Sequence, residues 1–229
     1  MTTTLSYSRY RGQLETYFDQ TASKAWEQLT SDAPVSGIRA TVRAGRDEMR
    51  ATMLSWLPDD LTGKRVLDAG CGTGAFAVEA ARRGADVVAV DVAASLIDIA
   101  RKRAPSGLAI DWRVGDMHDA VLGTFDHVIA MDSLIHYPAF DMVAVIRSLG
   151  ERTRGSIVFT FAPRTPLLML ALGMGRLFPR SDRSPAILPV RETLLRTLIG
   201  NALPAARFGR DARVSAGFYT SHALEVMPG

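Results

Sequence analysis

Between residues 66 and 74 the chain reads Val66-Leu67-Asp68-Ala69-Gly70-Cys71-Gly72-Thr73-Gly74, an apolar run that passes directly into alternating glycines. Such glycines permit a tight turn and let a bound molecule approach the backbone. An acidic residue closing the next apolar run, here Asp91, can accept hydrogen bonds from both hydroxyls of a ribose. The chemistry is that of a nucleotide site where a strand meets a helix. Taken alone it is ambiguous, since Gly70-x-Gly72-x-x-Ala75 also fits a dinucleotide fingerprint.

Asp68 separates the two readings. A carboxylate immediately ahead of the glycines would stand near the pyrophosphate of NAD, whereas it supports a cofactor that ends in an ammonium group, as S-adenosylmethionine does. Gly115-Asp116-Met117, after the third apolar run, adds an aspartate for the adenine amino group and a methionine for the ring face. Cofactor binding is therefore assigned to Asp68, Gly70, Gly72, Gly74, Asp91, Asp116 and Met117. Cys71 has no neighbouring cation in sequence to lower its pKa and reads as a small filler.

The run from Phe125 to Met131 delivers Asp132-Ser133-Leu134-Ile135-His136-Tyr137-Pro138 to the same edge, facing the transferable methyl. His136 is the candidate active-site residue there; His127, inside the strand, reads as structural. The Asn/Asp-Pro-Pro-Tyr/Phe tetrapeptide that holds a nitrogen acceptor in many amino-methylating enzymes is absent, which leaves oxygen or carbon acceptors.

The elements that must position these residues follow from periodicity. Apolar residues recur at three- and four-residue steps over 13–30 and 36–57, separated by Pro34 and ended by Pro58, which predicts two helices. From Lys64 the period alternates: strands at 66–67, 87–90, 108–114, 125–131 and 156–161, helices at 74–83, 93–103 and 139–150. Further helices are expected at 165–177 and 189–200, then a hairpin of strands at 205–211 and 213–220. This is an α/β chain with a mostly parallel sheet and an antiparallel C-terminal hairpin. The expected organisation is an N-terminal helical arm or lid, 1–58, and a cofactor-binding domain, 59–229, with a helical insertion at about 163–202.

Composition agrees. The 229 residues are 47% hydrophobic and 22% charged, which excludes disorder, coiled coil and collagen. A single cysteine forms no internal disulfide and no signal peptide opens the chain, so the expected setting is cytoplasmic and reducing. The longest apolar run, Pro166–Leu172, reaches Phe178 only across Arg176, well short of the roughly 20 residues of a spanning helix. The net charge is +3, but residues 151–229 carry 11 basic and 5 acidic side chains, and all cations except Lys24, Lys64 and Lys102 are arginine. Arginine suits bidentate anion binding. The basic final third admits RNA as a partner, yet no dedicated RNA-binding module is present, and no nucleic acid is expected.

These motifs together resemble the class I, S-adenosylmethionine-dependent methyltransferases over about residues 60–220, a Rossmann-like fold with a seven-stranded sheet and helices on both faces. Tyr17-Phe18-Asp19 followed by Trp26, the arginine-containing stretch from Ile38-Arg39 to Met53, and Met131 to Pro138 narrow the likeness. Over essentially the whole chain the sequence is similar to the magnesium-protoporphyrin O-methyltransferase family of (bacterio)chlorophyll synthesis. The resemblance implies methyl transfer to one propionate of magnesium protoporphyrin IX, giving the monomethyl ester. It implies that Tyr17, on the arm, and His136 form the catalytic pair, and that no metal is bound by the protein itself, magnesium belonging to the substrate. It also implies the porphyrin-binding subunit of magnesium chelatase as a partner and a peripheral contact with the inner or photosynthetic membrane. Two readings stay open beside it: methylation of another small molecule or of RNA, and an NAD(P)-binding dehydrogenase.

Overall fold

The computed structural model describes residues 5–21, 37–166, 168–169 and 186–229. Its framework is set by short β-branched runs that must be buried on both faces. β1 (Arg65–Ala69), β2 (Asp86–Asp91), β3 (Ile110–Val114), β4 (Phe125–Ala130) and β5 (Thr153–Phe161) run parallel; β6 (Arg207–Ala216) and β7 (Tyr219–Met227) form an antiparallel hairpin whose β7 pairs with β5. The sheet order is β3-β2-β1-β4-β5-β7-β6. Order reverses between β1 and β4, so the loops after these two strands diverge and open a crevice at their carboxyl ends.

Helices cover both faces. α1 (Leu5–Thr16), α5 (Ala139–Gly150) and α6 (Glu192–Ala202) pack on one side, where Tyr7 and Leu14 join Leu67, Val128, Ile146, Phe159 and Ile199 in one core cluster. On the other side α2 (Gly37–Leu54) and α3 (Ala75–Arg82) bring Met49, Met53, Phe76 and Ala80 against Val66, Val87, Ile129 and Ala223. α4 (Ala94–Arg103) lies beside β2 and β3. Burying Leu14 alone is worth about 1.5–3 kcal/mol, so α1 is fastened to the sheet rather than merely adjacent to it.

Several expectations shift. The first helix starts at Leu5, well before residue 13, and passes into a π-helical turn at Tyr17–Thr21; only Tyr7 and Leu14 of α1 are buried, too sparse a stripe for periodicity to register. The rest of the expected 13–30 helix lies outside the described residues. So does most of the 165–177 segment, of which Pro166, Leu168 and Met169 are helical. The hairpin turns at Gly217-Phe218 and not near residue 212. The strand expected to stop at 211 instead continues as β6 past a bulge between Phe208 and Asp211, and Gly217 takes the positive φ of 56° that the real turn requires. Among the described residues no helix is long and apolar enough to cross a membrane.

Candidate active site

The glycine-rich turn is shaped from both sides. Gly70 has a φ of 79°, and a Cβ there would strike the Ser133 side chain, whose Oγ donates to the Ala69 carbonyl at 2.8 Å. Gly74 also has a φ of 79°, and a Cβ on it would enter the Trp112 ring. One glycine lets the β1 and β4 loops meet; the other lets α3 begin against β3.

Carboxylates hold the turn in place. Asp91 accepts from the Gly72 N–H at 2.8 Å and from the Ala93 N–H at 2.9 Å. Asp68, 2% exposed, accepts from the Ala77 N–H at 3.1 Å in the first turn of α3. Burial pushes the Asp68 carboxyl up to about 7, with the Asp91 charge adding and the Ala77 N–H opposing. Burial likewise raises Asp91 and, together with these two carboxylates, raises the Cys71 thiol well above its ordinary value. Cys71 therefore stays a thiol, consistent with a packing role.

Gly70, Asp91, Gly115, Met117, Ser133 and His136 are among the residues that surround a cavity of about 60 Å³ in the β1/β4 crevice. Asp68, Gly72, Gly74 and Asp116 are not among its lining residues; Gly72 and Asp68 adjoin it through the Asp91 and Ala77 hydrogen bonds above. Two further walls, Leu14 and Phe18, come from the N-terminal arm. Ordinary ligand pockets measure about 300–1,000 Å³, so with Leu14 and Phe18 in these places the cavity is small for a nucleoside cofactor.

Asp116 shows how the arm is held. Its carboxylate accepts from the Tyr7 hydroxyl at 2.7 Å, from Arg11 Nη1 at 3.2 Å and from the His118 N–H at 2.9 Å. The Tyr7 ring stacks on Tyr137 at 4.9 Å and meets His118 edge-on at 4.7 Å. Burial, then Tyr137 and Asp116, raises the Tyr7 phenol, which remains a donor. A second latch is Asp19, which accepts from the Ser95 N–H at 2.9 Å. α4 has no side-chain cap of its own, so the arm supplies one, an interaction worth about 1 kcal/mol. Sequence reasoning passed over Tyr7 and gave Asp19, quoted only within Tyr17-Phe18-Asp19, no role of its own, because their partners lie far away along the chain.

A second cavity, about 320 Å³, adjoins the first and is lined by Tyr17, Phe18, Arg46, Asp132, His136 and Tyr219 among others. Phe18, Asp132 and His136 face both cavities. His136 is buried, and its Nδ1 lies 3.2 Å from the Ala186 carbonyl. A carbonyl only accepts, so Nδ1 carries the proton and Nε2 keeps its lone pair. Burial lowers the imidazole pKa, the Arg46 charge lowers it further, and the Ala186 bond and Asp132 oppose. His127 sits in β4 with Nδ1 3.0 Å from Ser156 Oγ.

Asp132 was not singled out in the sequence, although its place just past β4 was a usable signal. It has a left-handed φ of 52°, which aspartate tolerates better than most residues. Its N–H donates to Thr160 Oγ1 at 2.7 Å, and its carboxylate receives the Tyr219 hydroxyl at 3.1 Å and Arg46 Nη1 at 2.8 Å. Elsewhere, Glu192, Asp211 and His222 converge, but Arg196 already bonds Glu192 at 2.7 Å and Asp211 at 3.1 Å. That group ties α6 to the hairpin.

The sheet order, the glycine turn and the acidic close of β2 define a class I S-adenosylmethionine-dependent methyltransferase, and a methyltransferase-domain family matches residues 66–154. Residues 130–228 match the family described as magnesium-protoporphyrin IX methyltransferase C-terminus. A magnesium-protoporphyrin O-methyltransferase of Rhodobacter capsulatus is 53% identical over 225 residues, covering 97% of this chain and 98% of the relative. One from Synechocystis is 30% identical over 217 residues, covering 92% and 93%. The crystal structure of magnesium protoporphyrin IX methyltransferase from Synechocystis with bound S-adenosylhomocysteine superposes with a TM-score of 0.83 at 27% identity, covering 94% of this chain and 98% of that one. The chain belongs to the magnesium-protoporphyrin O-methyltransferase family.

Asp91→Ala is expected to weaken S-adenosylhomocysteine by about 1.5–3 kcal/mol, the range for hydrogen bonds to a charged group. The substitution also removes the Gly72 and Ala93 tethers. Titration calorimetry measures it, and unchanged affinity would remove Asp91 from the site.

Proposed function

We propose that this protein transfers the methyl of S-adenosylmethionine to one propionate of magnesium protoporphyrin IX, giving the monomethyl ester. The observation that carries the reading is the pair of adjoining cavities sharing Phe18, Asp132 and His136: one behind the glycine turn with Asp91, the other apolar, with an arginine and a neutral histidine. The residues fit the cofactor. Asp68 is a buried carboxyl whose ionised form a cofactor ammonium would stabilise, and Asp91 lines the cavity. When bound, S-adenosylmethionine supplies an electrophilic methyl on a sulfonium. Asp116 is assigned to the adenine amino group, its carboxylate oxygens shared with Tyr7 and Arg11 of the closed arm.

His136 and Tyr17 handle the acceptor. A propionic acid has an ordinary pKa of about 4.3, close to a glutamate, but burial beside the Asp132 charge raises it. Nε2 of His136, a lone pair in the tautomer above, takes the acid proton as the oxygen attacks, and gives it to solvent afterwards. A neutral Nε2 cannot donate to a carboxylate, which favours this role over simple orientation. Tyr17 borders the same cavity, where burial raises its phenol and keeps it a donor. Phe18 and the closed arm exclude water, and alignment of the reacting atoms supplies roughly 7–11 kcal/mol.

At about 320 Å³ the second cavity admits one edge of a macrocycle, and the remainder extends past Phe218, which lines it and is 63% exposed; Met169, beside the lining residue Leu168 in sequence, is also exposed. These exposed apolar side chains support the implied peripheral membrane contact and hand-over from the porphyrin-binding subunit of magnesium chelatase.

Incubation with magnesium protoporphyrin and labelled S-adenosylmethionine, with product mass determined, tests the reading: a gain of one methyl is expected, and no product would overturn it. Cofactor binding should also depend on pH. Asp68 must be ionised to hold the ammonium, and it titrates near 7 in the free protein. Affinity for S-adenosylhomocysteine should therefore be level above pH 7 and fall about tenfold per unit below it, with a proton released on binding. Calorimetry in buffers of different ionisation enthalpy reads both, and Asp68→Asn should abolish the dependence.

A further inference from the structure

Arg46 is the only cationic side chain among the described residues that line the acceptor cavity, apart from the neutral His136. It projects from α2, its side chain 20% exposed, and meets Asp132, 6% exposed, at 2.8 Å. Asp132 is in turn held by Tyr219 at 3.1 and 3.2 Å, by Thr160 Oγ1 at 3.2 Å and by Ser221 Oγ at 3.4 Å. A buried ion pair adds little net stability, and this one is built on a left-handed aspartate with three hydroxyls around it. That much structure fixes where a guanidinium stands. A guanidinium's forked donors can serve two carboxylates at once.

The substrate presents two carboxylates. Magnesium protoporphyrin carries its propionates on neighbouring pyrrole rings, so a macrocycle entering by that edge brings both into the cavity. One must reach the cofactor, past Phe18 and His136. The other needs a cationic partner in a largely apolar enclosure that also holds the Asp132 carboxylate, because an unpartnered carboxylate there is costly.

We propose that Arg46, positioned by Asp132, binds the propionate that is not methylated, so that the enzyme requires a free second carboxylate and the reaction stops at the monoester. This rests on the substrate reading above. The two acids then have separate roles: the reacting one beside His136 loses its proton to Nε2, while the anchoring one stays ionised on Arg46. A monoester would have to set a neutral ester against Arg46 in place of a carboxylate, a much weaker acceptor for a guanidinium, and is therefore a poor second substrate.

The test compares kcat/KM for magnesium protoporphyrin and for its monomethyl ester, together with the products formed. The unaltered protein should prefer the diacid at least tenfold. Arg46→Met should raise KM for the diacid about ten- to a hundredfold, reduce the preference to near unity and allow diester to accumulate, with S-adenosylhomocysteine affinity kept. Arg46→Lys should restore part of the preference. Should Arg46→Met leave Asp132 too exposed to an unpaired charge, the double variant Arg46→Met/Asp132→Asn removes both charges and should show the same lost discrimination. A preference retained in any of the folded methionine variants overturns the inference alone. Failure of the unaltered protein to methylate magnesium protoporphyrin would overturn the functional reading and this inference with it.

Discussion

Replacing His136 with phenylalanine is expected to lower methyl transfer by about a hundredfold or more, the range for loss of a positioned proton acceptor, while S-adenosylhomocysteine binds nearly as before. The aromatic ring keeps the volume and the contact with Phe18, whose ring centre is 6.5 Å away. What disappears is the Nε2 lone pair that the Ala186 bond to Nδ1 leaves available. The pH profile gives the discriminating measurement. Burial holds the His136 pKa below its ordinary 6.5, so the neutral, proton-accepting form persists into mild acid and turnover falls only as pH drops through that lowered value. The phenylalanine variant should lose that acid limb. Equal loss of turnover and cofactor affinity would instead mark a structural histidine.

Deleting residues 1–35 is expected to abolish methyl transfer and to leave S-adenosylhomocysteine bound, with a loss confined to the contacts of Leu14 and Phe18. The arm contributes Tyr17 and Phe18 to the acceptor cavity and walls off the cofactor crevice, so its removal admits water and takes away an assigned catalytic residue. Asp68, Asp91 and the glycine turn lie outside it. Tyr17→Phe, by contrast, should reduce turnover only modestly, because the ring remains. Hydrogen exchange on residues 5–21, measured with cofactor and then with porphyrin added, follows the closure directly; unchanged protection in both states, with a fully active truncation, would rule out a lid. Loss of the Tyr7 and Leu14 burial will lower thermal stability in the truncated chain, so activity is best compared well below its unfolding temperature.

Most of the parallel sheet was legible because each unit is local. Val66 to Gly74 holds an apolar strand, the glycines whose positive φ values the turn needs, and the start of α3, all within one short stretch. Asp91 was legible for the same reason, since the residue closing β2 must stand at the edge where Gly72 needs an acceptor. The hairpin turn was misplaced because a bulge at Phe208/Asp211 shifts the register and lets β6 run on past residue 212, an offset that alternation along the sequence does not show. The arm was harder still: α1 buries two side chains, and their value lies in what they meet.

The sequence by itself determined the α/β class, the cofactor and the edge of the sheet where chemistry occurs, because strand, turn and helix preferences act over a few residues and the carboxyl ends of β1, β2 and β4 share one side of any parallel sheet. Only the tertiary structure decided which groups share the acceptor cavity. Tyr7 and Asp116 are 109 positions apart, and Arg46 reaches Asp132 only because α2 packs across the hairpin that brings Tyr219 to the same carboxylate. It also decided the state of His136, whose tautomer depends on a carbonyl from a distant loop and whose charge depends on burial. Such terms arise from desolvation and from contacts between remote segments, and neither has a signature in local residue order.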